Sequence, residues 1–382
     1  MKVALTILLL LNLPFDLPAQ DSSVQKKLTL TGYIKAVEMY RFDKMTHMDF
    51  ASHLIHNRLN VKWKPGNTVS FTAELRNRVY FGEQIRLVPG FVESLRNEQE
   101  FWNLQKAWIK NKDMVFHTNI ERLYVDLKKS HWDLRIGRQR INWGIATTWN
   151  PNDIFNAYNF LDVDYIERPG TDAAKLHLNT SENSNIEFVY SAANNKKSIL
   201  ASRFSFNKWS YDFQLIAGSY QGFFTMGAGW AGNIKNAGFK GEVQYYSGNA
   251  QVNNQLNMAI GLDYMFKKGW YVNLGGLYNS NGINEEVSNW QNLDLKLSAR
   301  NLMPGKWSYI TTVQKEITPL FSAGASFVYS PKLNLIILMP SIGYNISSSL
   351  DADLIYQSFY LKSGDVLNGV ADIGFIRLRY SF

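Results

Sequence analysis

Large apolar residues recur at every second position through most of the chain, polar residues fill the places between them, and short polar breaks interrupt the runs. The last run is Ile376-Arg377-Leu378-Arg379-Tyr380-Ser381-Phe382. A period of two marks a β-strand with one apolar and one polar face. The first strand begins at Leu28: Leu28, Leu30, Gly32, Ile34 and Ala36 share one side, and Thr29, Thr31, Tyr33 and Lys35 share the other. Lys64-Pro65-Gly66-Asn67 has the composition of a tight turn between the second and third strands. A fourth strand is predicted near Asn119–Leu127 and a fifth near Trp132–Ile141. Further turns are predicted near Ser181–Ser184, Asn207–Lys208, Lys235–Asn236, Lys267–Gly269, Thr318–Pro319 and Ser347–Ser349. Longer polar segments connect the other strand ends, chiefly 82–117, 143–171, 247–255, 280–306 and 361–369.

This pattern predicts an all-β fold: one transmembrane antiparallel up-and-down β-barrel over residues 20–382. The alternating segments count to about 18 strands, with 16 as the alternative. Leu293–Asn301 is assigned to an outer loop, because a further spanning strand there would make the total odd. Apolar faces would meet lipid, and polar faces would enclose water. Mean hydropathy of -0.23 fits strands that are half wet. Aromatic residues fall near strand ends, at Tyr80-Phe81, Trp132, Trp143, Trp149, Trp209, Tyr245-Tyr246, Trp270, Tyr278 and Tyr380, where amphipathic rings suit the headgroup level.

At the N-terminus, Lys2 precedes the mostly aliphatic Val3–Leu13, and Leu17-Pro18-Ala19 offers a cleavage point. A membrane helix needs ~20 apolar residues, so 1–19 reads as a signal peptide. Export to the outer membrane of a Gram-negative cell is the expectation. The chain has no cysteine, and a closed backbone ladder can do without disulfides. The net charge of +8 would suit phosphate contacts in a nucleic-acid binder, but an export signal argues against that partner.

The cations matter more for where they fall. If the apolar side faces lipid, then Lys35, Arg58, Lys62, Arg76, Arg78, Arg122, Arg135, Arg377 and Arg379 face inward, together with Glu74, Asp126 and Asp263. An arginine or lysine facing lipid at mid-depth would cost ~2–4 kcal/mol. Closure must pair the first and last strands, which brings Arg377 and Arg379 near Lys35. Two readings stand: the arginines pair with inner carboxylates and stiffen the wall, or they set a field that favours anions.

The strongest local motif runs from Gly137-Arg138-Gln139 through Arg140 to Trp143-Gly144 and Asn150-Pro151. Gly137 is expected to permit a bulge that re-aims Arg138 or Arg140 into the pore. Asp153 is a candidate cap of a short helix. The long loop, with Trp149, Asn150, Asp153 and Arg168, is expected to fold inward as the constriction. This stretch resembles porin-like outer-membrane barrels, with a fainter similarity to alginate-export-type barrels. The resemblance implies diffusion or export of small or acidic solutes. The C-terminal Phe382 pattern is similar to the signal read by the barrel-assembly machinery, an expected partner during insertion into outer-membrane lipids.

Other constellations carry less. Tyr278-Asn279-Ser280-Asn281-Gly282 resembles the active-site stretch of outer-membrane phospholipases, but Tyr278 stands where those have histidine, and a serine nucleophile needs a base. His47, Asp49, His53 and His56 could offer metal ligands, yet His53 and His56 differ in parity. Asn150, Asn152, Asp153, Asp162 and Asp164 could supply oxygens to calcium but lack an EF-hand's spacing. No enzyme activity, cofactor or metal is expected. The predicted function is a porin or diffusion channel favouring small anionic solutes. Binding or export of an acidic saccharide is the alternative, and lipid hydrolysis the third reading.

Overall fold

The structure is a computed structural model that describes residues 27–96, 100–157, 159–164, 168–194, 197–287, 297–363 and 366–382. The predicted signal peptide lies outside these residues, as do 293–296 of the predicted outer loop, while 297–301 form no strand. Among the described residues there are nineteen strands. They are β1 (Leu28–Asp43), β2 (Phe50–Trp63), β3 (Val69–Gly82), β4 (Gln105–Lys110), β5 (Met114–Lys128), β6 (Trp132–Gln139), β7 (Thr171–Ser181), β8 (Ser184–Ser191), β9 (Ile199–Lys208) and β10 (Tyr211–Tyr220). There follow β11 (Phe223–Ile234), β12 (Ala237–Tyr246), β13 (Gln255–Met265), β14 (Trp270–Asn279), β15 (Trp307–Thr318), β16 (Phe321–Ser330), β17 (Leu335–Asn345), β18 (Leu350–Ser363) and β19 (Val366–Ser381). Two single-turn helices, α1 (Gln84–Leu87) and α2 (Phe91–Ser94), separate β3 from β4.

The strands pair antiparallel in sequence order, and β1 pairs with β19 from Tyr33↔Ser381 to Asp43↔Ala371, so the sheet closes. The nineteen strands fill eighteen positions around the wall. The reason is that β4 and β6 share one edge of β5: β4 pairs with 115–119, and β6 with 123–128. The predicted count therefore holds, whereas β4 was hidden inside the connection expected over 82–117, and β5 begins at Met114 rather than near Asn119. Both chain ends of the barrel and most tight turns, such as 182–183, 209–210 and 235–236, lie at one end, and the long loops lie at the other together with the short turns at 111–113 and 221–222.

The expected bulge at Gly137 is not there, since β6 keeps continuous register with both neighbours. Gly137 instead has φ of 122°, and a side chain would meet the Leu123 carbonyl oxygen at 2.2 Å. The nearby bulge lies in β5, where the register shifts opposite Glu74 and Leu75 and Glu121 joins the inner face beside Arg76.

The lipid-side parity carries exposed Leu30, Ile34, Leu215, Ile260, Leu354 and Ile376, while Lys35, Arg58, Arg76 and Arg78 on the other parity are buried inside. Trp209, Trp270 and Tyr380 are exposed near strand ends as expected, but Tyr80, Trp143, Trp149 and Tyr246 are buried. Those four belong to apolar clusters, because the loops fold back onto the inner wall. One cluster packs α1 and α2 on Val37, Leu54, Tyr80 and Val115. A second packs Ile141, Trp143 and Ile154 on Val189, Ala201 and Ile216. The third sets Trp149, Leu302, Met303 and Leu333 on Leu277, Ile310, Val328 and Ile337. Burying such side chains is worth about 1.5–3 kcal/mol each, which is what holds these loops inside.

Candidate functional site

The segment after β6 crosses the lumen, and each anchor is a side chain on an inward position. Trp143 donates its indole N–H to Glu187 at 2.7 Å, and its carbonyl accepts from Gln214 at 2.7 Å. Glu242 of β12 accepts the backbone N–H groups of Ile145, Ala146 and Asn152 at 2.5, 2.6 and 2.8 Å. Gly144 is required where the chain turns, because a side chain would overlap that of Asn150 at 2.3 Å. Trp149 then packs on Phe160 and the third cluster. Further on, the Leu161 carbonyl accepts from Gln357, and the Val163 carbonyl accepts from Arg377, both at 2.9 Å. The motif thus encodes a loop folded inside the barrel, as expected.

Among the described residues no helix follows Asp153 for it to cap, and its buried carboxylate instead pairs with Arg168, which also donates to Asn142 at 3.0 Å. Burial pushes the Asp153 carboxyl up to about 6, against the pull of Arg168 and Arg140. Asn150 is buried beside it. Asp153 and Asp164 turn to separate cations, so the candidate calcium oxygens do not share one site.

Of the predicted lining cations, several sit opposite carboxylates on the same inner face. Arg58 pairs with Glu74, Arg135 with Asp126 at 2.5 Å, Arg377 with Asp353 at 2.9 Å, and Arg379 with Asp351 at 2.7 Å. Lys35 and Arg76 share Asp164, at 2.7 and 2.8 Å. Arg76 and Arg122 also flank Glu121, at 3.6 and 3.9 Å. Arg78 differs: its guanidinium meets Tyr80 at 3.0 Å and His117 at 3.1 Å, neither of them a carboxylate. Among the described residues Lys35, Arg76, Arg78 and Arg122 outnumber Asp164 and Glu121, and Arg96 and Lys197 in the same cavity exceed its remaining carboxylate, Glu100.

Arg138 is not a lining residue. It lies opposite Leu123, on the lipid-side parity, yet it is fully buried. It binds Asp172 at 2.9 Å and Glu100 at 2.6 Å, and donates to the carbonyls of Ile120 and Trp102. Asp172 accepts the Trp102 N–H at 2.9 Å. Segment 100–104 thus covers the place where β6 stops, and Arg138 with Asp172 supplies the hydrogen bonds that a full strand would have made. Arg140 is exposed just beyond β6, near enough for its charge to act on Asp153.

Two cavities flank the far end of the loop. An outer one of about 340 Å³ is lined by Arg76, Arg78, Arg96, Glu121 and Lys197, among others. An inner one of about 510 Å³ opens among the tight turns, with Gln314, Asp353 and Arg377 in its wall. Segment 161–164 lies between them: Arg76 in the outer wall binds Asp164, and Arg377 in the inner wall binds the Val163 carbonyl. Burial alone would raise the Asp164 carboxyl, but His56, Lys35 and Arg76 hold it well below the usual carboxylate range.

The remaining candidates have the following partners. Ser280 Oγ accepts the Leu256 N–H and donates to Asn281, with no histidine bonded to it among the described residues. His53 stacks on Phe81 and pairs with Glu38, while His56 points inward to Asp164 at 3.0 Å, as the parity difference requires. Asp164, Glu242, Glu187 and Gln214 went unrecognised as loop anchors. The first is a loop residue with distant partners; the others look like ordinary inward polar positions.

No protein-family model matches the chain, and no curated protein matches it. Solved structures do. The chain is similar to Acinetobacter baumannii OccAB4, at 10% identity with a TM-score of 0.60, over 95% of this chain and 100% of that one. It is similar to OccAB1 of the same organism, at 12% identity and 0.58, over 96% and 99%. Pseudomonas aeruginosa OccK11 (OpdR) gives 10% identity and 0.57, over 93% and 96%. The likeness is one of fold, and it agrees with the porin-like barrel read from the residues.

Proposed function

We propose that the chain is an outer-membrane channel of a Gram-negative cell, exported with its signal peptide removed, and that it favours small anionic solutes. The observation that carries this reading is the group Lys35, Arg76, Arg78 and Arg122, gathered about Asp164 and Glu121 among the described residues where segment 161–164 narrows the lumen. One sign of charge beside low-dielectric walls concentrates the opposite ion. The inward loop sets the width of the passage. An extended acidic polysaccharide suits this interior less well, because the loop crosses the space that such a chain would occupy. In liposome-swelling assays, small carboxylates should enter faster than neutral polyols of equal size. Equal rates would remove the anion preference, and no swelling with correctly folded protein would remove the channel.

A further inference from the structure

The Asp164 carboxylate sits in a site built to hold a carboxylate. It receives the Lys35 ammonium at 2.7 Å, the Arg76 guanidinium at 2.8 Å and the His56 Nδ1–H at 3.0 Å. All three donors are at least nine-tenths buried, with Lys35 2%, His56 0% and Arg76 4% exposed. Arg76 Nε–H also donates to His56 Nε2 at 3.3 Å, which fixes the imidazole with its other nitrogen facing Asp164. Three charge-assisted or oriented donors converging on two oxygens make a strong and specific arrangement.

The site's position gives it a consequence. Within segment 161–164 and its approach, the Asp162 N–H bonds the Asn159 carbonyl and the Asp164 N–H bonds the Asp162 carboxylate. Its ties to the wall include Asp164, the carbonyl contacts from Gln357, Arg377 and Lys35, and partial packing of Leu161 on the third cluster. We propose that Asp164 is a tethered stand-in for the permeating anion, and that segment 161–164 is a gate which a free carboxylate opens by competing for Lys35, Arg76 and His56. This rests on the anion-channel reading above and adds to it an autoinhibitory contact. A tethered carboxylate competes at an effective concentration of order millimolar, so free carboxylate should act at roughly that concentration.

The test is single-channel recording of the full chain in planar bilayers, with folding checked by heat-modifiable migration. At constant ionic strength, millimolar potassium acetate should raise the open probability of the wild type along a saturating curve. Asp164→Asn should have an open probability higher by about tenfold without acetate, the shift expected from losing a hydrogen bond to a charged group, and should ignore acetate. Lys35→Gln, which leaves Arg76 and His56 on the carboxylate, serves where Asp164→Asn fails to fold, and should show a smaller rise. Asp164→Cys, in a chain with no other cysteine, should close again with an anionic methanethiosulfonate reagent and stay open with a cationic one. A conducting wild type whose open probability is unmoved by these changes would overturn the gate and leave the channel standing. Folded protein that passes no ion, in wild type and variants alike, would overturn both.

Discussion

Two sectors of the inner wall meet the folded loops in opposite ways. Across β1 to β6 and β19 the inward side chains are largely charged, and they meet the loop through Asp164 and Arg377. Across β13 to β17 they are apolar at the loop end, with Leu277, Ile310, Val328 and Ile337 buried under Trp149, Leu302 and Met303. Both sectors point inward, so parity alone does not decide whether a position is wet. What covers it does. The apolar sector fastens the loop by packing, and the charged sector holds it by ion pairs and hydrogen bonds.

The sharpest way to break this contrast is at Arg138, which lies in the wall of the charged sector but outside its lumen. Arg138→Ala strands Asp172 and Glu100 in a buried site, where removing one partner costs about 3–5 kcal/mol. The urea midpoint of unfolding in detergent should fall accordingly, and an unchanged midpoint would place the wall's seal elsewhere. A lining arginine exposed to water would show no such loss.

Next comes the pH dependence of the loop. The folded Asp153 carboxyl titrates at about 6, above its ordinary 3.8, so the folded state binds this proton more tightly than the unfolded chain does. Its ionisation therefore costs stability as pH rises from about 4 through about 6, by roughly 3 kcal/mol at most. Wild type should lose stability relative to Asp153→Asn across that window. Parallel pH curves would show that Asp153 is not buried as described.

A smaller effect separates the two faces of one strand. Ile337 is buried inward, and its neighbour Leu338 is exposed outward. Ile337→Ala should cost about 2–3 kcal/mol by leaving a cavity under the loop, whereas Leu338→Ala should cost clearly less and leave conductance unchanged. Equal losses would mean that the apolar sector is not packed by the loop.

The same contrast explains what was legible beforehand. Lys35, Arg58, Arg76, Arg377 and Arg379 alternate with apolar residues, so their inward placement followed from a period of two. The run Leu335-Ile336-Ile337-Leu338 is apolar on both parities and gives no sign of which side faces in, so the interior cluster was missed. The inward fold of the Trp143–Thr171 loop was readable from its length and composition. Its anchors were not, because Asp164 lies 129 residues from Lys35 and 88 from Arg76, with no local spacing to tie them. Arg138 was misplaced because the covering segment 100–104 comes from a distant connection whose short strand β4 was not recognised.

Zero-current reversal potential across a KCl gradient tests the central claim most directly, because it requires an open lumen and reads the sign of its excess charge together. The account predicts a potential on the chloride-selective side for the wild type. It also predicts a shift toward zero in Arg78→Gln, whose guanidinium has no carboxylate partner among the described residues. A cation-selective potential, or one that Arg78→Gln leaves in place, would contradict it.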